Sequence, residues 1–437
     1  MHYFIVLIIL LAKHYLCAQI SLNMNSKKLY SILLTSFVGI TNLANAQQID
    51  AEKIKTHISY LASDELKGRG TGTEDEKKAA AYISKQFSEI KLMPKGENGT
   101  FLQSYEFTEP ANPHATVDTG GKLRSLINVI GFLDNKAKHT IVIGAHYDHL
   151  GLGHDGNSLD ANPKDKIHNG ADDNASGTAG VIELARYYAN NNVVEKYNFL
   201  FICFSGEELG LFGSKQYCEK PVLPLADMNV MINMDMIGRL EPSTRKLMVY
   251  GVGTAPEFVG MIAGIKTTMN ILTDSAGVGP SDQTSFYLKD IPVLHFFTGQ
   301  HSDYHKPTDD TEKVNISGEK EVLEYIVQTI TEIERLPKLK FLKTRSAKSD
   351  TPAFKVTLGI MPDYMFSGVG VHVDGVTEGK PAFKAGLQKG DVIVKLGEHT
   401  VKDMQTYMKA LSMFKKGDTT TVKALRGNDL IEGEITF

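Results

Sequence analysis

Five separate stretches of this chain place imidazole or carboxylate groups where an apolar run stops or a helix begins. Residues 140–145 run into His146-Tyr147-Asp148, and residues 199–204 run into Ser205-Gly206-Glu207-Glu208. Residues 230–234 run into Asp235, and residues 292–297 lead on to Tyr304-His305. Between them, Gly170-Ala171-Asp172-Asp173-Asn174 opens a helical stretch. Open α/β sheets bind ligands in the crevice beyond the C-terminal ends of their strands, so the five stretches are expected to converge on one crevice. That many carboxylates in one place repel one another unless a cation joins them. Nitrogen and oxygen donors without a thiolate suit zinc, and less often manganese or cobalt. Taken singly, each residue has a plainer role: a strand-end histidine that is merely hydrogen-bonded, a glutamate pair at a helix start, an aspartate cap. Their recurrence at successive strand ends favours the metal.

The elements that must position these groups are legible from periodicity. Ile54, Ile58 and Leu61 share one helical face, and Ala79, Ile83 and Phe87 share another after the acidic start at Glu74 to Glu76. Residues 140–145, 199–204, 230–234, 247–250 and 292–297 read as strands, most without alternation, as strands buried on both faces do. Residues 175–189 and 209–219 read as intervening helices, and Val322, Leu323, Ile326, Ile330 and Ile333 mark a last amphipathic helix. Alternating strands and helices predict a three-layer α/β/α sandwich on a mixed, mostly parallel sheet.

With those residues in view, the chain resembles the co-catalytic zinc exopeptidases, the family of bacterial leucyl aminopeptidase and glutamate carboxypeptidase II. The motifs are His146-x-Asp148, residues 169–177, Gly206-Glu207-Glu208, residues 233–238 and His305, with residues 61–72 also family-like. The resemblance implies two zinc ions per chain. It gives His146 and Asp235 to one ion, Glu208 and His305 to the other, and Asp172 to both. It makes Asp148 the carboxylate that orients His146, and Glu207 the general base beside a hydroxide shared by the two ions. Tyr304 is implied as a donor to the oxyanion. The reaction implied is release of N-terminal residues from peptides. Two departures stand out: Ser281-Asp282-Gln283 occupies the place where relatives often carry Ser-Asp-His, and residues 92–140 are too few for an inserted protease-associated domain. His149, His154 and His168 are left over and read as loop residues.

Residues 337–352 are polar and basic with two prolines, and read as a linker between a domain over 47–336 and one over 353–437. The second domain is mainly β and resembles a PDZ domain through Pro381-Ala382, Ala385-Gly386-Leu387, Gly390-Asp391-Val392-Ile393 and Gly397. Leu358, Gly359 and Ile360 resemble the loop that holds a peptide C-terminus. Pro362 lies where the accepting strand should continue, and it has no N–H to offer.

Residues 1–46 read as a targeting region. Lys27-Lys28, the apolar run from Leu29 to Ile40 and Ala44-Asn45-Ala46 follow the order of a secretory signal, and Met24 is a second candidate start. Both apolar runs are short for a membrane span, so export to the periplasm or beyond, with no span left after cleavage, is expected. Cys203 and Cys218 then remain, and Cys203 reads as a buried free thiol. A formal charge of −4 and no long Lys/Arg run exclude a nucleic-acid partner and leave peptides as the expected one. Two other functions fit the scaffold: glutaminyl cyclase, which relatives run with one zinc, and a binding protein without catalysis, as in transferrin receptor. Retention of all five ligand positions and Glu207 argues against the latter.

Overall fold

The computed structural model describes residues 48–109, 122–344, 356–363, 366, 368–377, 379–402 and 404–437. The targeting region expected over 1–46 lies outside them. Asp50 caps helix α1 (Ala51–Leu61) by accepting from the amides of Glu52 and Lys53, and Ile54, Ile58 and Leu61 are its buried stripe. Each such side chain, fully buried, stabilises the fold by about 1.5–3 kcal/mol. Helix α2 (Glu74–Ile90) starts at Thr73, whose hydroxyl accepts from Glu76 N. The Glu76 carboxylate in turn accepts from Gly72 N at 2.6 Å and from Ser205 Oγ at 2.5 Å, which ties this helix start to the loop bearing Glu207.

The remaining strands of the first domain are β1 (Met93–Pro94), β2 (Leu102–Glu109), β3 (Lys122–Leu133), β4 (Thr140–His146), β5 (Asn198–Phe204), β6 (Met228–Met234), β7 (Lys246–Tyr250), β8 (Asn270–Asp274) and β9 (Val293–Phe297). They form one sheet in the order β1-β3-β5-β4-β6-β9-β7-β8, with β2 on β3. The central block β5-β4-β6-β9 is parallel throughout, while β3 joins β5, and β7 joins β9, in antiparallel fashion. The antiparallel β2–β3 hairpin and β8 are additions that the apolar-run pattern did not reveal. Every residue of β4, β5 and β6 is buried, which is why these strands carry no polar alternation.

Helices cover both faces. Ile141 and Ile143 of β4 pack in one layer with α1, α2, α3 (Gly177–Asn190) and α7 (Ile316–Glu334). Val142 points into the other layer with Tyr217 and Cys218 of α4 (Phe212–Glu219) and Phe286 and Tyr287 of α6 (Gln283–Tyr287). A short α5 (Phe258–Gly264) adds Phe258 and Ile262 to the first layer. Cys203 and Cys218 are both buried and both free.

Part of the segment read as linker is anchored to the first domain. Leu339 N donates to Asn229 Oδ1 at 2.8 Å, Leu342 N to Thr254 O at 2.8 Å and Thr344 N to Tyr287 Oη at 2.9 Å. The polar composition of the segment hid these contacts because two of the three donors are main-chain groups of apolar residues, and the acceptors are remote in sequence.

The second sheet is antiparallel. Its strands are β10 (Ile360–Pro362), β11 (Val371–Val376), β12 (Val392–Leu396), β13 (His399–Thr400), β14 (Thr419–Arg426) and β15 (Asp429–Thr436), in the order β10-β11-β12-β14-β15 with β13 on β12. Helices α8 (Pro381–Lys384) and α9 (Met404–Leu411) complete it. Leu358, Val373, Ile393, Leu396 and Val422 are among its buried core residues. The register of β10 against β11 shifts between Met361 and Pro362, and the strand ends at that proline.

Candidate metal centre

The parallel block delivers the site residues. His146 is the last residue of β4, Glu207 and Glu208 follow the end of β5, and Asp235 follows the end of β6. Gly206 turns the chain after β5 at a φ of +72°, a conformation that glycine adopts without a steric cost. His305 comes from the loop after β9, and the irregular helical turn over Ala171–Ser176 leads directly into α3.

Asp172 was expected to bridge the two metal positions, but the structure brings Asp173 to the centre and turns Asp172 away. Asp173 Oδ1 lies 3.4 Å from His146 Nε2, and its Oδ2 lies 3.2 Å from His305 Nε2. The Asp172 carboxylate instead accepts from Gly238 N at 2.7 Å and Ser176 Oγ at 3.1 Å, with His301 Nε2 3.1 Å from Oδ2. The cause is the main chain: Asp309 Oδ2 accepts from both Asp172 N and Asp173 N at 2.9 and 3.0 Å, fixing the turn so that successive side chains point to opposite sides. The bridging position expected of Asp172 is therefore occupied by Asp173, one residue on.

Two donor groups meet at Asp173. His146 Nε2 lies 3.6 Å from Asp235 Oδ1 and 4.0 Å from Glu207 Oε2. His305 Nε2 lies 3.1 Å from Glu208 Oε2. Each imidazole is oriented through its other nitrogen: His305 Nδ1 donates to Asn157 O at 2.9 Å, and His146 Nδ1 sits 3.2 Å from Asp148 O and 3.6 Å from Asp148 Oδ1. The Asp148 carboxylate also accepts from Thr71 Oγ1 at 2.6 Å.

Three contributors escaped the sequence reading. His149, read as a loop residue, is buried, and its Nδ1 lies 2.7 Å from Glu208 Oε1, the oxygen that His305 does not use. A Cβ at Gly170 would collide with the His149 ring, so glycine there leaves room for the imidazole. Arg69 is fully buried and donates to the carbonyls of Tyr147, Gly170 and Asn169, pinning two site loops to one cation. Asp309 sets the aspartate turn. A histidine three residues after His146 was the available signal for the first; the others lie far along the chain from the residues they hold.

The electrostatics are those of a site built for cations. Burial disfavours the charged imidazole of His146, yet the charges of Glu207 and Asp235 raise its pKa well above the usual histidine range. His305 is raised likewise, by Glu208 and Asp173 against burial. Burial also works against the charge of Asp173 and Glu208, but the facing imidazoles hold Asp173 well below the carboxylate range and bring Glu208 down to about 2. Glu207 behaves oppositely: burial, with Asp235 and Glu208 nearby, pushes it well above that range against the pull of His146. Asp282, buried behind the site, is pushed up to about 7. Gln283, at the departure from Ser-Asp-His, accepts from Asn233 Nδ2 at 3.1 Å and does not line the cavity.

Ligand atoms of His146, Asp173 and Asp235 lie within 4.8 Å of one another, as do those of His149, Asp173 and Glu208. Nitrogen and oxygen donors without a thiolate fit zinc by donor type. The groups open on a cavity of about 310 Å³, also lined by Glu207, Met236, Tyr250, His295, Phe297 and Tyr304. Tyr304 stacks on His305 with ring centres 3.9 Å apart.

Residues 128–330 match the family model for peptidase family M28, and residues 342–436 match that for the PDZ domain. Leucine aminopeptidase 2 of Arthroderma otae is 28% identical over 200 residues, covering 42% of this chain and 38% of that protein. The chain spans about two fifths of the length of the curated relatives it matches. Among solved structures, a zinc aminopeptidase from Bacillus subtilis is similar at a TM-score of 0.52 and 17% identity, covering 68% of this chain and 99% of that one. A glutaminyl cyclase of Bacteroides thetaiotaomicron is similar at 0.51 and 18%, covering 67% and 100%. Both are likenesses of fold. The chain is thus similar to peptidase family M28 across residues 128–330 and to the PDZ domain across residues 342–436.

Proposed function

We propose that the chain is a zinc aminopeptidase that uses two metal ions to release N-terminal residues from peptides. The observation that carries this is the Asp173 carboxylate standing between His146 and His305, with Glu207 beside it on an accessible cavity. Zinc, when bound, supplies Lewis acidity for the scissile carbonyl and lowers the pKa of water. Glu207 takes a proton from the attacking water and returns it to the departing amine. Tyr304, stacked on His305 at the cavity wall, is the proposed donor to the oxygen of the scissile carbonyl.

The cavity lining favours a free amine over a free carboxylate at the cleaved end. Asp173, Glu207, Glu208 and Asp235 all contribute, and neither lysine nor arginine does. No lysine or arginine side chain among the described lining residues is therefore placed to pair with a terminal carboxylate. Purified protein loaded with zinc is expected to contain two equivalents and to cleave aminoacyl anilides but not N-blocked ones. One tightly held zinc with release of cyclised N-terminal glutamine would make it a glutaminyl cyclase instead.

The remaining features of the chain fit the same role. Residues 1–46 direct export, and N-terminal sequencing of protein from outside the cytoplasm is expected to start near Gln47. The PDZ domain captures a peptide C-terminus at Leu358, Gly359 and Ile360. Gly359, at a φ of +76°, forms the turn into β10, which pairs only with β11 among the described strands.

A further inference from the structure

His305 reaches the centre from a loop, and its main chain stands at a φ of +53°. A residue other than glycine keeps that left-handed conformation only where its surroundings hold it. Here the holding segment is residues 157–159, remote in the chain. His305 Nδ1 donates to Asn157 O at 2.9 Å, and Leu159 N donates to His305 O at 2.9 Å. Asn157 Nδ2 also donates to Glu208 O at 3.3 Å, so one short segment reaches both residues of this half of the centre.

Between those two gripping residues, Ser158 is tied to a second histidine. Its hydroxyl lies 2.7 Å from His168 Nε2 and 3.1 Å from His305 O. His168 Nδ1 lies 2.9 Å from Lys166 O, and a carbonyl only accepts, so Nδ1 carries the proton. Burial pushes the His168 pKa down, which keeps the ring neutral and leaves Nε2 to accept from the serine. His168 is itself fixed: it is fully buried, its amide donates to Gly151 O at 3.0 Å, and a Cβ on Gly153 would stand 2.7 Å from its ring. An apolar ring would serve if the position only filled space, yet both nitrogens of this one are engaged. We infer that Ser158 and His168 are positioning residues for His305: His168 fixes Ser158, and the main-chain groups on either side of Ser158 aim the His305 imidazole at Asp173 and Glu208. The inference rests on the zinc reading of the centre.

The test is zinc titration of the metal-stripped full chain against a chromophoric chelator, in wild type, Ser158→Ala, His168→Gln and His168→Asn. Glutamine carries its carboxamide to the place of Nε2 and can still accept from Ser158, whereas asparagine reaches only the place of Nδ1. Ser158→Ala and His168→Asn are each expected to weaken one of two zinc ions by about tenfold or more and to leave the other within about twofold. His168→Gln is expected to recover most of that loss, and Ser158→Ala carries the test if the His168 variants do not fold. If the two residues only support the fold, the ratio of the two zinc affinities stays at its wild-type value and glutamine does no better than asparagine; that result overturns the assignment. Binding of a single zinc by wild type would overturn the two-metal reading instead. The role of Ser158 is then decided without metal, by histidine-labelled NMR. Solvent exchange of the His305 Nδ1 proton, identified by its absence in His305→Gln, is expected to be several-fold faster in Ser158→Ala, and an unchanged rate overturns the assignment.

Discussion

Asp148 Oδ1 accepts the backbone amide of Glu207 at 3.1 Å and lies 3.6 Å from His146 Nδ1. One buried carboxylate thus sets both an imidazole aimed at Asp173 and the glutamate proposed as the base. Its geometry makes the division of labour between Glu207 and Glu208 testable. Glu207→Gln keeps the amide-to-Asp148 bond and the side-chain size but removes the basic carboxylate. It is expected to retain both zinc ions and substrate affinity while kcat falls by at least ~10²-fold. Zinc content and kcat are the measurements, and near-normal kcat in the metal-replete variant rejects Glu207 as the base.

The adjacent aspartates should part company in the same assay. Asp173→Asn removes the one carboxylate that faces both imidazoles, so zinc occupancy is expected to drop at both sites. Asp172→Asn leaves those contacts untouched and disturbs the bonds to Gly238 and Ser176, so it should keep its zinc and lose about 1–3 kcal/mol of stability. Elemental analysis with thermal melting distinguishes the two, and the opposite pattern would return the bridging place to Asp172.

His149 holds Glu208 through the oxygen that faces away from His305. Removing such an orienting group usually weakens a metal site by roughly 10–100-fold. His149→Ala is expected to loosen one of two zinc ions by that factor, measured by competition with a chromophoric chelator, and to spare the other. Equal affinity for both ions in the variant would show that Glu208 needs no such support.

The metal-free protein should lose stability as pH rises. His146 and His305 have folded-state pKa values raised well above the ordinary range, so their contribution is present below the unfolded histidine value and is lost as pH climbs through the raised ones. Asp282 acts in the same direction: its stabilisation is present below the usual aspartate range and is lost as pH rises through about 7. Glu208, held at about 2, contributes above the unfolded glutamate value and fails only as pH falls toward 2. Melting temperature without metal should therefore peak in mild acid and decline toward pH 9, while zinc-loaded protein, whose ligands must shed those protons, should gain most at high pH. A metal-free melting curve that rises from pH 5 to 9 contradicts this.

Deleting the PDZ domain, residues 354–437, is expected to leave hydrolysis of small aminoacyl substrates largely intact, because each proposed catalytic and metal-binding residue precedes Leu336. Loss of turnover in a truncated protein that still folds and binds zinc would show that the domain helps build the site.

By itself the sequence determined the layers and most of the donors. Strands β4, β5 and β6 are buried on both faces, so they must be continuous apolar runs, and the polar residue that ends each run must sit at the sheet's C-terminal edge. That logic reaches His146, Glu207, Glu208 and Asp235 without coordinates. It does not reach the choice between Asp172 and Asp173, because neighbouring residues share composition and only the turn held by Asp309 decides which side chain faces inward. Nor does it reach His149 or Arg69. Their neighbours lie about 50 to 100 residues away in the chain, and an imidazole or guanidinium in isolation carries no sign of what will stand opposite it. Spacing along the chain encodes which face of an element a residue occupies; only packing brings a second element to that face and gives the residue its partner.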